Sequence, residues 1–244
     1  MQLFHNPADA SEDHWIPLAD LMTSLMLVFL LIAVAYMLRV EQQTQRITQV
    51  ASSYQDLRQR LYLKLDSEFH NDLRRWGAEL DPDLTIRFIQ PEVLFDTGKS
   101  DLKPQFETIL NQFMPRYLAI LTAPEYRNAI QELRIEGHTS SVWTSSTKPD
   151  EAYILNMKLS QDRTRSTLQY ILAMPSAQSD LSWLHLVLTA NGLSSSHLVL
   201  MNGQEDQLRS QRVEFRIRTN ADERLQEILK NVRTSAVSAD EKSS

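Results

Sequence analysis

From Leu21 to Leu38 the chain runs eighteen residues without Asp, Glu, Lys or Arg. Few soluble folds can bury so continuous an apolar segment, whereas a bilayer takes it directly. Leu18 to Met37 is twenty residues, and about 20 residues at 1.5 Å rise cross a hydrocarbon core of about 30 Å. The preceding residues hold no Lys or Arg and include Asp9, Glu12 and Asp13. A signal peptide begins basic, so Ala33-Val34-Ala35 is not read as a cleavage site. A second uncharged stretch, Leu181 to Gln204, contains three consecutive serines, Gly192, Asn191 and two histidines, which suit lipid poorly. One transmembrane segment is expected.

Asp20 stands at the start of this run. An ionisable residue in a spanning helix is costly, and by default marks function. A carboxylate deprived of water favours its neutral form, so such a group can take a proton from one side and release it to the other. Thr23 and Ser24 follow at three and four residues and share its helical face, where their hydroxyls could line a proton path. The structural alternative is a carboxylate in the first helical turn, favoured by the positive helix end.

The 244 residues carry a formal charge of -6 and no cysteine. Disulfides and thiolate catalysis are excluded, and the acidic balance argues against nucleic-acid binding. The chain divides into a polar tail (1–14), the transmembrane helix (15–38), a helical linker (39–76), a mixed domain (77–220), and a final helix with a polar tail (221–244). In the linker, Ile47, Val50, Tyr54, Leu57 and Leu61 are spaced three and four apart, and Leu65, Phe69 and Leu73 continue at four. This seam predicts either a two-stranded coiled coil or one amphipathic helix lying on its own domain. Beyond Gly77, LTIRFIQ, ELRIEGHT and RVEFRIRT alternate apolar and polar residues and predict strands with one buried face. Helical patterns begin near Pro104 and run from about Met157 to Met174, and another follows Asn220. The fold class is α+β.

ADLMTSLMLVFLLIAVA resembles the spanning segment of the MotB flagellar stator family. The longer HWIPLADLMTSLMLVFLLIAVAYM is similar to the ZorB family, the stator-like subunits of Zorya anti-phage systems. Four later blocks, VLFDTGKSDLKPQFETIL, IEGHTS, LSQDRTRSTLQYIL and QRVEFRI, together resemble the OmpA-like peptidoglycan-binding domain over roughly residues 84 to 219, which implies a βαβαββ arrangement. These resemblances imply a stator-type subunit with Asp20 as proton carrier. They also imply a MotA-like (ZorA) multi-span partner as a pentamer around a dimer of this chain, and anti-phage defence as the role. A flagellar stator subunit and a passive wall tether are the alternatives. No enzymatic activity, cofactor or metal is expected.

The same resemblance implies a site for the diaminopimelate stem of peptidoglycan. Arg163 would hold its carboxylate as a planar, bidentate donor, with Asn156, Leu159, Thr139 and Ser140 beside it. Asn156, Leu159, Ser160 and Arg163 fall on one helical face. Ser140 stands where the family has an aspartate, and Asp150 and Glu151 are candidates to replace its carboxylate. Ser210-Gln211-Arg212 departs from the family's usual Asn-Arg-Arg. His138 belongs to the motif as a structural strand-end residue. The positive-inside rule places the side carrying Arg39, Arg46, Arg58 and Arg60 in the cytoplasm. The resemblance implies the reverse: an inner-membrane protein with a cytoplasmic N-terminus and a periplasmic C-terminal domain.

Overall fold

The computed structural model describes residues 15–220. The two terminal tails and the helix expected after Asn220 lie outside them. Helix α1 is one continuous element, Trp15–Arg75. Gly77, the first glycine of the chain, follows it with a left-handed backbone (φ 59°), a conformation only glycine adopts freely. Then come strand β1 (Ala78–Leu80), β2 (Thr85–Phe88), the single turn α2 (Pro91–Leu94), α3 (Pro104–Leu121), β3 (Ile130–His138) and α4 (Pro149–Ala173). Short α5 (Pro175–Gln178) and α6 (Leu181–Val187) lead to β4 (Leu188–Gly192). A small hairpin of β5 (Leu200–Met201) and β6 (Gln204–Glu205) precedes α7 (Gln207–Ser210) and β7 (Arg212–Thr219).

The chain divides into two compact units at residues 52 and 53. In the first, Leu18–Gln42 of α1 is long and apolar enough to cross a membrane and none of it is buried. Apolar side chains from Leu21 to Leu38 are exposed around the helix, a surface that water does not tolerate. The second unit is a five-stranded sheet in the order β1-β2-β7-β3-β4. All neighbours are antiparallel except β3 and β4, which are parallel and joined through α4. Elements β2, α3, β3, α4, β4 and β7 reproduce the expected βαβαββ path. Strand β1 is added at one edge, and the β5–β6 hairpin is inserted before β7.

Alternation puts Leu133, Ile135, Val213, Phe215, Ile217, Ile86 and Phe88 on the core face, all buried. Helix α3 supplies Phe106, Ile109, Leu110, Phe113 and Tyr117, four of the five apolar positions being separated by three or four residues. Phe113 is the hub: its ring lies 5.2 Å from Phe69, 5.6 Å from Phe88, 5.4 Å from Phe215 and 4.6 Å from Tyr117. Tilted and edge-on pairs at these separations add to the area burial itself.

Leu61, Leu65, Phe69, Leu73 and Trp76 belong to this same core. The coiled-coil expectation is therefore corrected over its second half: from Leu61 onward the seam packs on the chain's own domain, not on a partner helix. An apolar stripe at helical spacing has no means of specifying which surface covers it. The side chains of Ile47, Val50 and Tyr54 lie outside the described ones.

Helix α4 sits close on the sheet because two glycines make room for it. Gly137 and Gly192 are register partners on β3 and β4. A Cβ on Gly137 would lie 2.7 Å from Thr164 Cγ2 and 2.9 Å from the Ser160 carbonyl oxygen. One on Gly192 would lie 2.2 Å from the Gln161 amide nitrogen. The helix face above them carries Asn156, Ser160, Arg163, Thr164 and Thr167, all buried.

Candidate functional site: a cleft around Arg163

A cleft of about 410 Å³ opens between the N-terminal half of α4, the segment after β3 and the loop after α2. Thr139, Ser140, Asn156, Leu159 and Arg163 all line it; the structure brings the five expected residues to one place. The Asn156 side-chain amide donates to the Ser140 carbonyl at 3.1 Å, tying the chain after β3 to α4. Leu159 is half-buried in the wall. The Thr139 hydroxyl is buried and has no hydrogen-bond partner.

Arg163 is 7 % exposed. Its Nε donates to the Lys99 carbonyl at 2.9 Å and its Nη2 to the Asp96 carbonyl at 3.2 Å, and its guanidinium lies 4.8 Å from the centre of the Phe95 ring. The arginine thus braces the loop holding Thr97 and Gly98, which also line the cleft. Burial pulls the guanidinium down to about 10, so it stays charged at neutral pH. Neutral carbonyls and a ring face do not balance that charge. An anion entering the cleft would, with a charge-assisted hydrogen bond.

Sequence reasoning missed Val142, Trp143, Thr144, Thr97, Gly98, Gln207 and Gln211, which complete the lining. Thr97 and Gly98 stand inside a recognised block, and their Asp-Thr-Gly run was the available signal. Gln207 and Gln211 come from α7 and carried none. The candidate replacement carboxylates are corrected: Asp150 and Glu151 lie exposed in the first turn of α4 and do not line the cleft.

In the other unit, Asp20 sits within the membrane-length segment and is its sole charged residue before Arg39. The Thr23 hydroxyl donates to the Ala19 carbonyl at 2.6 Å. Its proton is therefore committed to the backbone, and its lone pairs remain free to accept. Ser24 follows on the next position of the same helix.

The chain is 44% identical over 223 residues to the Zorya protein ZorB of Escherichia coli strain ATCC 8739 (Crooks), covering 91% of this chain and 94% of that one. It belongs to the ZorB family. A second Zorya protein ZorB, from Escherichia coli O139:H28 strain E24377A, is 28% identical over 219 residues, covering 86% and 81% of the two chains. No profile of a protein family matches. Among solved structures, a MotB-like protein from Desulfovibrio vulgaris superimposes with a TM-score of 0.50 at 24% identity, covering 68% of this chain and 94% of that one. That likeness extends the family's placement to the fold of the domain.

This ZorB-family chain carries a second charged cluster, on the sheet face away from α4. Cross-strand partners there are Glu132 with Arg218, Arg134 with Arg216, Glu136 with Glu214, and His138 with Arg212. Like charges directly opposite repel, and the neighbouring rungs relieve them. Glu214 accepts from Arg212 Nε at 2.6 Å and Arg87 Nε at 2.8 Å; Glu136 accepts from Arg134 at 3.2 Å. His138 Nε2 faces Glu136 at 3.6 Å and Glu214 at 3.8 Å. His138, expected to be a structural strand-end residue, is buried and has carboxylate neighbours that the sequence did not disclose. Ligand atoms of Glu136, His138 and Glu214 lie within 4.8 Å of one another, close enough to hold a cation. The arginines already supply counter-charge to the two carboxylates, while both ring nitrogens of His138 are buried without a hydrogen-bond partner among the described residues.

Burial alone would raise the Glu136 carboxyl, but His138, Arg216 and Arg134 outweigh it and hold the group at about 2. Burial keeps His138 below the usual imidazole range, against the pull of Glu136. Both shifts favour the native state at neutral pH. A carboxyl lowered on folding contributes stability that is lost as pH falls from about 4.5 toward 2; the neutral histidine loses its share below about 6.5. The Glu136 shift predicts a fall of roughly 2 kcal/mol between pH 6 and pH 3, and His138 acts in the same direction; urea unfolding of the protein in micelles measures it. Stability that is flat across this range contradicts the assignment.

Proposed function

We propose that the chain is the stator-type subunit of a proton-driven motor of the inner membrane, anchored to peptidoglycan and acting in anti-phage defence. It acts by binding and proton exchange, not by bond-breaking catalysis. The observation that carries this reading is the union, in one chain of this family, of a membrane-length helix with one carboxylate, Asp20, within its apolar run and a domain whose cleft presents a desolvated arginine. Two copies would pair inside a MotA-like (ZorA) partner of several spanning helices, five around two. Asp20 would load and release protons, with Thr23 and Ser24 along the path; a protonated Asp20 carboxyl can donate to the free lone pairs of Thr23.

The N-terminus would face the cytoplasm and the domain the periplasm, since a peptidoglycan ligand exists only there. Membrane insertion set by a multi-span partner would override the arginines that follow the helix. Arg163 would grip a stem-peptide carboxylate, with Asn156, Leu159, Thr139 and Ser140 shaping the site. In a sedimentation assay with purified sacculi, the full chain in micelles is expected to pellet with the wall. Arg163→Met is expected to bind at least about 30-fold more weakly, the loss of a charge-assisted pair. A wild-type chain that stays in solution would refute wall anchoring.

A further inference from the structure

Among the described residues lining the cleft, Arg163 alone is charged; the others are Thr, Ser, Gly, Val, Trp, Asn, Leu and Gln. The acids nearest in sequence are engaged elsewhere. Asp96 faces Lys103 at 3.5 Å and Lys99 at 4.0 Å. Glu205 accepts from the Ser141 amide at 2.9 Å and from its hydroxyl. Asp206 caps α7 by accepting from the Arg209 amide at 3.1 Å. Ser140 uses its hydroxyl on the Val142 carbonyl at 3.3 Å.

An ammonium drawn into this cleft loses water, meets no anion and feels the positive field of Arg163, with a desolvation cost that only a paired charge removes. A carboxylate meets the opposite conditions. It finds a cation that has already lost most of its water, in a cleft also lined by Thr139, whose buried hydroxyl has no hydrogen-bond partner among the described residues. Thr139 as a residue is 2 % exposed, and a buried hydroxyl in a cleft wall that lacks a protein partner is completed by a ligand acceptor that reaches it.

We propose that the cleft reads the side-chain carboxylate of a wall stem peptide and is blind to the amine beside it. This rests on the wall-binding reading above and specifies what that site recognises. The amine stays at the mouth of the cleft, hydrated, and adds no selectivity. Discrimination between stem types then comes from the presence of the carboxylate alone.

The test uses the full chain in micelles and three soluble stem peptides in equilibrium dialysis. One carries diaminopimelate. The second lacks only its side-chain amine, and the third has lysine, which lacks only the side-chain carboxylate. The first two are expected to bind within about threefold of each other, and the lysine peptide at least about 30-fold more weakly. A loss of tenfold or more on removing the amine overturns the proposal and leaves wall binding standing. Failure of all three to bind overturns both. Ser140→Asp, which installs an acid on the cleft wall, is expected to make the amine-bearing peptide bind about tenfold tighter than its amine-free analogue. Equal binding of the two by this variant would show that the missing acid is not what makes the cleft blind.

Discussion

Asp20→Asn is expected to abolish phage protection in cells carrying the native gene cluster, at matched protein level. Asparagine keeps the shape of aspartate and can still donate a hydrogen bond to Thr23, whose own proton is held by the Ala19 carbonyl. The packing of the helix and its insertion are therefore preserved. What is lost is the ability to gain and release a proton, and no neighbour can substitute, because the next charged residue along the segment is Arg39. Plating efficiency is expected to rise by orders of magnitude, to that of cells without the cluster, while wall sedimentation of the variant is unchanged. Asp20→Glu, which keeps the titration but moves it by one methylene, is expected to retain part of the protection. Full protection by Asp20→Asn would remove proton transfer from the mechanism and leave a passive tether.

The second large effect is expected at Gly192. Its absent side chain is what lets the α4 backbone approach β4, and an alanine Cβ would stand 2.2 Å from the Gln161 nitrogen and 2.6 Å from its Cα. Both are backbone atoms, so no side chain can swing aside; the helix itself must retreat. Overpacking of this kind costs about 3 kcal/mol or more, which corresponds to a fall in Tm of about 6–12 °C for a domain of this size. The retreat also carries Asn156 away from the Ser140 carbonyl and Arg163 away from the loop at Asp96, so wall binding should weaken in parallel. Gly98→Ala is the control for conformation without crowding. It has a positive φ of 71° but open space around it, and is expected to cost only about 1 kcal/mol. Equal Tm values for Gly192→Ala and the native protein would refute the close approach of α4.

The strands that alternate were readable because one face of each meets an apolar core: β2, β3 and β7 stand where their patterns placed them. Strand β4 was not readable. Leu188-Thr189-Ala190-Asn191-Gly192 has no alternation, being a parallel edge strand whose floor is glycine. Helix α4 begins at Pro149, eight residues ahead of its expected start. Its buried stripe is polar, with Ser160, Thr164 and Thr167 satisfied by carbonyls of their own helix, and apolar periodicity cannot detect such a face. In the cleft, Arg163, Asn156 and the Thr139–Ser140 pair were legible through their motifs. The ion network was not, because Glu136 and Glu214 look like solvent-facing positions until β3 and β7 pair.

The continuity of α1 has a practical corollary for anyone isolating the C-terminal domain. A soluble fragment that starts at Gly77, where the strand patterns begin, would lack Leu61, Leu65, Phe69, Leu73 and Trp76. It would leave an open slot beside Phe113 and several hundred Å² of apolar surface in contact with water, on the order of the largest such patch an ordinary monomer carries. Aggregation of such a fragment would say nothing about the domain itself. A fragment cut upstream of Leu57 keeps the helical segment that closes the core.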